Sequence, residues 1–272
     1  MKDGATPLLV LAAGQRCGST LAQRLLCSHP RVMIWGEHDG QLRQVLAAVE
    51  RLRFWADHDA VAARNELATS GYQGFIANLT PERSHIDDAC RAFIETLFAK
   101  PALALGRPIW GFKEVRYRLQ DALLLQGLFP RLRVIQIVRD PRDVLRSLDN
   151  WEGHPGWTRR NTEEALRYWL QVSSSFVGSD ADCDLRKLTL TVRYEDLIAD
   201  TRGWSAAIAN HCELDAKSFD HTVFNNRVHT DVSYGETGRE LRQWSELPAS
   251  LRSLIDDEEI HQVASAYGYD LS

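Results

Sequence analysis

Several signatures are missing from this 272-residue chain, and each absence removes a class of function. No C-x-x-C spacing occurs, and the five cysteines, Cys17, Cys27, Cys90, Cys183 and Cys212, are scattered and odd in number. A disulfide framework and a zinc site are therefore not expected, and a reducing, cytoplasmic setting is. None of the nine histidines forms an i,i+4 pair, and DADCD at 180–184 lacks the glycine and terminal glutamate of a calcium loop, so no metal is expected. The net charge of −5 leaves no basic field for nucleic acid, which makes any anion site a local one. The apolar run at 7–13 is too short for a membrane span and too poorly flanked for a signal peptide, so no integral membrane contact is expected. Linkers, charge blocks, low-complexity tracts and repeats are also lacking, which points to one domain over 1–272.

What is present is an alternation of short apolar runs with longer segments of helical period, the pattern of a parallel sheet covered by helices on both faces. Strands are expected at 8–12, 32–35, 109–112, 133–138 and 188–192. Helices are expected at 19–27, 39–53, 86–98, 117–128, 141–149, 163–175, 204–212 and 251–267. Ligands of such sheets bind beyond the carboxyl ends of the strands. The residues found there are Gly14, Arg16, Gly18, Ser19 and Thr20, then Glu37 and His38, Lys113 and Glu114, Arg139 and Asp140, and finally Tyr194 and Glu195.

After the first strand, AGQRCGST combines a glycine turn with a helix start, whose unpaired N–H groups and positive dipole end form an anion cradle. A Walker A loop would carry lysine where Ser19 stands and one more residue between its glycines, so the main cation of a nucleotide triphosphatase is missing. A plain turn with Ser19 as N-cap remains open on these residues alone. The run VIQIVRDPRDVLRSL at 134–148 reads as a buried strand ending in Arg139, with Asp140 capping a helix that has Pro141 at its first position. Ser147 follows Asp140 by nearly two helical turns, so a guanidinium and a hydroxyl can grip one phosphate from two directions.

QRCGSTLAQRLLCSHP resembles the R-S-G-[ST]-T-L…H-P segment of sulfotransferases that use 3′-phosphoadenosine 5′-phosphosulfate (PAPS), in particular the carbohydrate and tyrosylprotein branches and their bacterial relatives. The resemblance implies an α/β fold with a P-loop-like central parallel sheet flanked by helices, and a loop in which Arg16, Cys17, Gly18, Ser19 and Thr20 bind the 5′-phosphosulfate. Cys17 departs from the usual Ser or Ala there. It also implies that Arg139 and Ser147 hold the 3′-phosphate, that Tyr194 of RYEDL lies beside the adenosine, and that Arg239 in SYGETGRELRQW closes over the 3′-phosphate, with Arg242 as an alternative. PAPS is then the cosubstrate, with no metal.

Arg16 and Lys113 are expected to neutralise charge on the bridging oxygen, although Glu114-Val115 after the lysine departs from the family's G-x-K-[ST]-P segment. Glu37 resembles the glutamate base of tyrosylprotein sulfotransferases, with His38 as its rival. A helix-capping role also stays open for Glu37. The resemblance implies a hydroxyl acceptor that is a small molecule, carbohydrate or lipid. Its pocket is expected from Trp55–Thr80, with Tyr72 and Phe75, and from WEGHPGW at 151–157 with Trp151, His154 and Trp157. Two rival readings are a small-molecule kinase of the P-loop class and a nucleotide-binding protein without catalysis.

Overall fold

The computed structural model describes residues 8–149, 159–179, 184–225 and 243–272. Five strands, β1 (Leu8–Ala13), β2 (Val32–Trp35), β3 (Ile109–Glu114), β4 (Arg133–Val138) and β5 (Thr189–Arg193), form one all-parallel sheet in the order β2-β3-β1-β4-β5. All five lie where the apolar runs place them. Such runs lack polar alternation because helices cover both faces of the sheet. On one face Val10, Ala12, Trp110, Phe112 and Val134 join one core; on the other Ile34, Ile109, Ile135, Ile137 and Val192 join a second.

The longer helices are α1 (Ser19–Ser28), α2 (Gln41–Asp57), α3 (Asp59–Ser70), α4 (Arg83–Ile94), α5 (Lys100–Ala104, five residues), α6 (Leu119–Leu128), α7 (Pro141–Asp149) and α8 (Arg159–Phe176). They are followed by the short α9 (Leu185–Leu188), then α10 (Tyr194–Ala199), α11 (Thr201–His211), α12 (Ala249–Arg252) and α13 (Glu258–Ala266). Helix α8 joins the two cores: Trp169 packs in one, Val172 and Phe176 in the other. Trp169 is wholly buried, and covering a large apolar side chain of this kind contributes about 1.5–3 kcal/mol.

The differences from the sequence-based boundaries have local causes. Helix α2 begins at Gln41, not at 39, because Asp39 and Gly40 both take left-handed backbone, with φ of 56° and 67°. The segment expected as one helix over 86–98 starts at Arg83 and relaxes into a π turn at Glu95–Ala99, where the Phe98 carbonyl accepts from Trp35 Nε1 at 2.9 Å. The segment 251–267 divides into α12, a 3₁₀ turn and α13, since Asp257 accepts from Glu259 N at 2.8 Å and caps a new helix start. Helix α3 has almost no apolar stripe, burying only Ala60 and Ala63, and so leaves no periodic signal to read.

The sheet order fixes where a ligand can enter. From β1 the chain turns toward β2 at one edge, and from β4 it turns toward β5 at the other, so the turns after β1 and β4 diverge. That divergence opens a crevice at the carboxyl ends of these two neighbouring strands.

Candidate functional site

The turn after β1 is built on two left-handed residues, Arg16 at φ 61° and Gly18 at φ 91°. Gly18 is required twice over, since a Cβ there would also lie 2.3 Å from Tyr194 Cδ2. Cys17 between them is wholly buried, and burial pushes its thiol up to about 12, so this position presents backbone and not sulfur to the crevice. Leu21 and Ala22 donate to the Gly18 carbonyl at 3.0 and 3.2 Å, which starts α1. The N–H groups of Ser19 and Thr20 in the first turn precede the reach of intrahelical bonds.

Arg139, the residue after β4, crosses to this turn. Its Nη1 donates to the Arg16 carbonyl at 3.1 Å, and its guanidinium carbon lies 4.5 Å from the centre of the Tyr194 ring. Arg16 in turn donates from Nε to Ser147 Oγ at 3.0 Å, reaching a hydroxyl on the second turn of α7. Burial, with Arg139 as a second cause, holds the Arg16 guanidinium down to about 10. The Arg139 charge disfavours that of Arg16, and Arg139 itself stands 4.0 Å from Asp143 Oδ2, so an anion entering beside the two guanidiniums adds to that pairing. Tyr194, the first residue of α10, lies between Gly18 and Arg139. Thus Arg16, Cys17, Gly18, Ser19, Thr20, Arg139, Ser147 and Tyr194 meet at one crevice. Arg239, Arg242, Trp151, His154 and Trp157 lie outside the described residues.

The ends of β2 and β3 carry a second group. Lys113 Nζ donates to Glu37 Oε1; the lysine is almost wholly buried, while Glu37 reaches solvent. Glu37 therefore does not cap α2, whose N-cap is Gly40. Lys113 pairs with Leu11 across the sheet and Arg139 follows the strand on the other side of β1, so the two halves of the site stand about 10 Å apart. His38 is packed edge-on against Phe112, with ring centres 5.1 Å apart, and its Nε2 lies 3.2 Å from the Tyr117 hydroxyl. Burial holds its imidazole below the ordinary range.

Three groups, two in this second half and one in the first, were given no role in the site from sequence. Glu114 is wholly buried; its Oε2 accepts from Gly40 N at 2.6 Å and its Oε1 from Val115 N at 2.9 Å and Arg116 Nη1 at 2.8 Å. Arg116 lies 3.8 Å from Glu37 and 3.0 Å from Asp39. Glu195 accepts from Asp140 N at 3.0 Å and from the Tyr269 hydroxyl at 2.7 Å, bracing the turn that presents Arg139. The available signal for Glu114 was a carboxylate ending an otherwise apolar strand.

Beside this cluster lies a polar cavity of about 490 Å³, lined among others by Asp39, Arg43, Gln44, Arg116, Asp121 and Tyr168. The segment expected to shape an acceptor pocket instead contributes Arg64, Leu67, Leu79 and Thr80 to a separate cavity of about 690 Å³. In that segment Tyr72 and Phe75 are exposed. Among the described residues, no cluster of three or more His, Cys, Asp or Glu side chains could hold a metal ion, and no helix is long and apolar enough to cross a membrane.

Comparison with known proteins bears on the family and the fold. No curated protein matches the chain. Among solved structures, the sulfotransferase domain of the Synechococcus PCC 7002 olefin synthase superposes with a TM-score of 0.54 at 20% identity, covering 99% of this chain and 98% of that one. The sulfotransferase domain from the curacin biosynthetic pathway gives a TM-score of 0.54 at 15% identity, covering 98% and 99%. These likenesses show the sulfotransferase fold. The family model described as "Sulfotransferase family" matches residues 7–218, and the chain belongs to that family.

Proposed function

We propose that this sulfotransferase takes a sulfuryl group from PAPS and passes it, by in-line attack, to a hydroxyl of a small-molecule, carbohydrate or glycolipid acceptor. One observation carries the reading: Arg16, Arg139 and Tyr194, from the ends of three different strands, converge with Ser147 of α7 on a crevice where two guanidiniums lie close together. A ligand with separated anionic groups and an aromatic base suits that arrangement. The N–H groups after Gly18 take the 5′-phosphosulfate, Arg139 and Ser147 take the 3′-phosphate, and Tyr194 lies against the adenosine.

When bound, the donor supplies the sulfuryl group and a bridging oxygen on which negative charge grows. Lys113 and Arg16 neutralise that charge. Lys113 turns from Glu37 toward the bridging oxygen, which frees the Glu37 carboxylate to accept the proton of the attacking hydroxyl. In balance, one S–O bond forms to the acceptor, the S–O bond to the nucleotide breaks, and the hydroxyl proton ends on Glu37. The packing of His38 against aromatic rings favours Glu37 over His38 as the base. The polar cavity beside Glu37 suits an acceptor rich in hydrogen-bonding groups.

The test is a thermal-shift comparison of adenosine 3′,5′-bisphosphate with ADP. A ligand at one hundred times its Kd stabilises by about 2.7 kcal/mol. The bisphosphate is expected to raise the melting temperature and ADP to leave it nearly unchanged; preference for ADP with magnesium would favour a kinase instead.

A further inference from the structure

The mechanism above uses Lys113 and Glu37 but leaves unexplained why a wholly buried carboxylate follows the lysine on β3. Glu114 is 0% exposed, and burying an ionised carboxylate is unfavourable unless its oxygens are fully engaged. Its oxygens are engaged, and with one particular set of groups. Oε2 accepts from Gly40 N, the N-cap of α2, at the left-handed turn three residues after Glu37. Oε1 accepts from Val115 N and from Arg116 Nη1.

Arg116 faces three carboxylates at once: Glu114 at 2.8 Å, Asp39 at 3.0 Å and Glu37 at 3.8 Å. Its other neighbour is the Tyr168 ring of α8, at 5.6 Å. Among the described residues, the charged and titratable groups around Glu37 are Lys113 and Glu114 from β3, Arg116 from the turn that follows, and His38 and Asp39 beside it. Glu114 acts on two of the things that set the behaviour of Glu37: the path of the loop that carries it, through Gly40, and the share of the Arg116 charge that reaches it.

We propose that Glu114 is a positioning residue, whose carboxylate anchors the Glu37 loop at Gly40 and holds the Arg116 guanidinium back from Glu37. This fixes the path of the loop that carries Glu37 and the distance at which Arg116 stands from it. The catalytic role of Glu37 rests on the functional reading above; the coupling of Glu114 and Arg116 to Glu37 does not.

The experiment follows the side-chain ¹³C carboxyl resonance of Glu37 through a pH titration of the ligand-free protein, assigned by its loss in Glu37→Gln. In Glu114→Gln the arginine loses its buried counter-charge and turns toward Glu37, so the Glu37 midpoint falls relative to the unsubstituted protein. In Arg116→Gln the cation is gone and the midpoint rises. Opposite displacements support the proposal; displacements in the same direction, or none in either variant, overturn it. If Glu114→Gln fails to fold, Glu114→Asp, which keeps the charge but shortens the reach to Gly40 and Arg116, takes its place: a displaced Glu37 midpoint supports the proposal and an unchanged one overturns it. Turnover then separates this inference from the functional reading. With an active parent protein, Glu114→Gln is expected to lower kcat about tenfold or more while leaving the donor KM within about twofold, as for loss of an interaction that acts on the chemical step. A raised donor KM with kcat unchanged would overturn the positioning role even where the titration moved. A parent protein that neither binds the bisphosphate nor transfers sulfuryl groups would sink the functional reading and leave the titration standing.

Discussion

The two halves of the sheet's carboxyl edge solve opposite electrostatic problems. At the ends of β1, β4 and β5, like charges are brought together: Arg139 bonds the backbone of Arg16, and Arg16 bonds a neutral hydroxyl. At the ends of β2 and β3, Lys113 and Arg116 are met by Glu37, Asp39 and Glu114. In the first half the Arg139 charge disfavours that of Arg16, while Asp143 stands 4.0 Å from Arg139, and an incoming anion adds to that pairing. The second is balanced by pairing, two cations against three carboxylates, so that each cation there already meets an acid, which suits groups that must exchange a proton.

The strongest test of this contrast removes one charge from the balanced half. Glu37→Gln is expected to lower turnover about 10²- to 10⁴-fold, the usual contribution of a general base, with bisphosphate affinity retained in calorimetry. A parallel loss of affinity would erase the distinction between the halves. On the other side, Arg139→Ala is expected to weaken adenosine 3′,5′-bisphosphate binding by about 1.5–3 kcal/mol, the worth of a charged hydrogen bond. Binding of a nucleotide without the 3′-phosphate should barely change; equal losses for both ligands would place Arg139 elsewhere.

A smaller effect comes from the joint between loop and ring. Gly18→Ala must displace Tyr194 and hold alanine at φ 91°, a cost of about 1–3 kcal/mol readable as a lowered urea midpoint. Removing the ring in the double variant Gly18→Ala/Tyr194→Ala should recover the part due to collision.

The smallest expected effect is in pH dependence. Burial holds His29, His38 and His211 below their ordinary range. Each takes up its proton more readily in the unfolded chain, so the stability from keeping it neutral is complete above about pH 6.5 and is lost as pH falls below that. Urea midpoints should drop between pH 7.5 and 5.5. Replacing His38 with Gln should shallow that slope while leaving bisphosphate affinity intact, because His38 belongs to the balanced half; an unchanged slope would assign the effect to the other two histidines.

The same contrast explains what could be read without coordinates. The strands were legible because a sheet buried on both faces demands uninterrupted apolar runs, and Ile109–Glu114 shows how complete that burial is. Loop motifs were legible because local backbone geometry restricts residue type, as at Gly18. The convergence of Arg16 on Ser147 needed the structure, since the two are 131 positions apart. Glu114 was visible as a strand-end carboxylate and as a departure from the family's pattern, but its role was not; its partner Gly40 lies on another element, and no local period links them. Helix α3 escaped because it buries so little, and Arg239 lies outside the described residues.

That 131-residue separation between Arg16 and Ser147 has a bearing on biogenesis. On the ribosome, the first loop emerges as a bare cationic turn and waits through three further strands of synthesis for the hydroxyl that steadies it. If the proposed donor binds at this turn, nucleotide added during translation is expected to rescue only chains elongated past β4, so that donor supply acts on late folding steps and not on early ones.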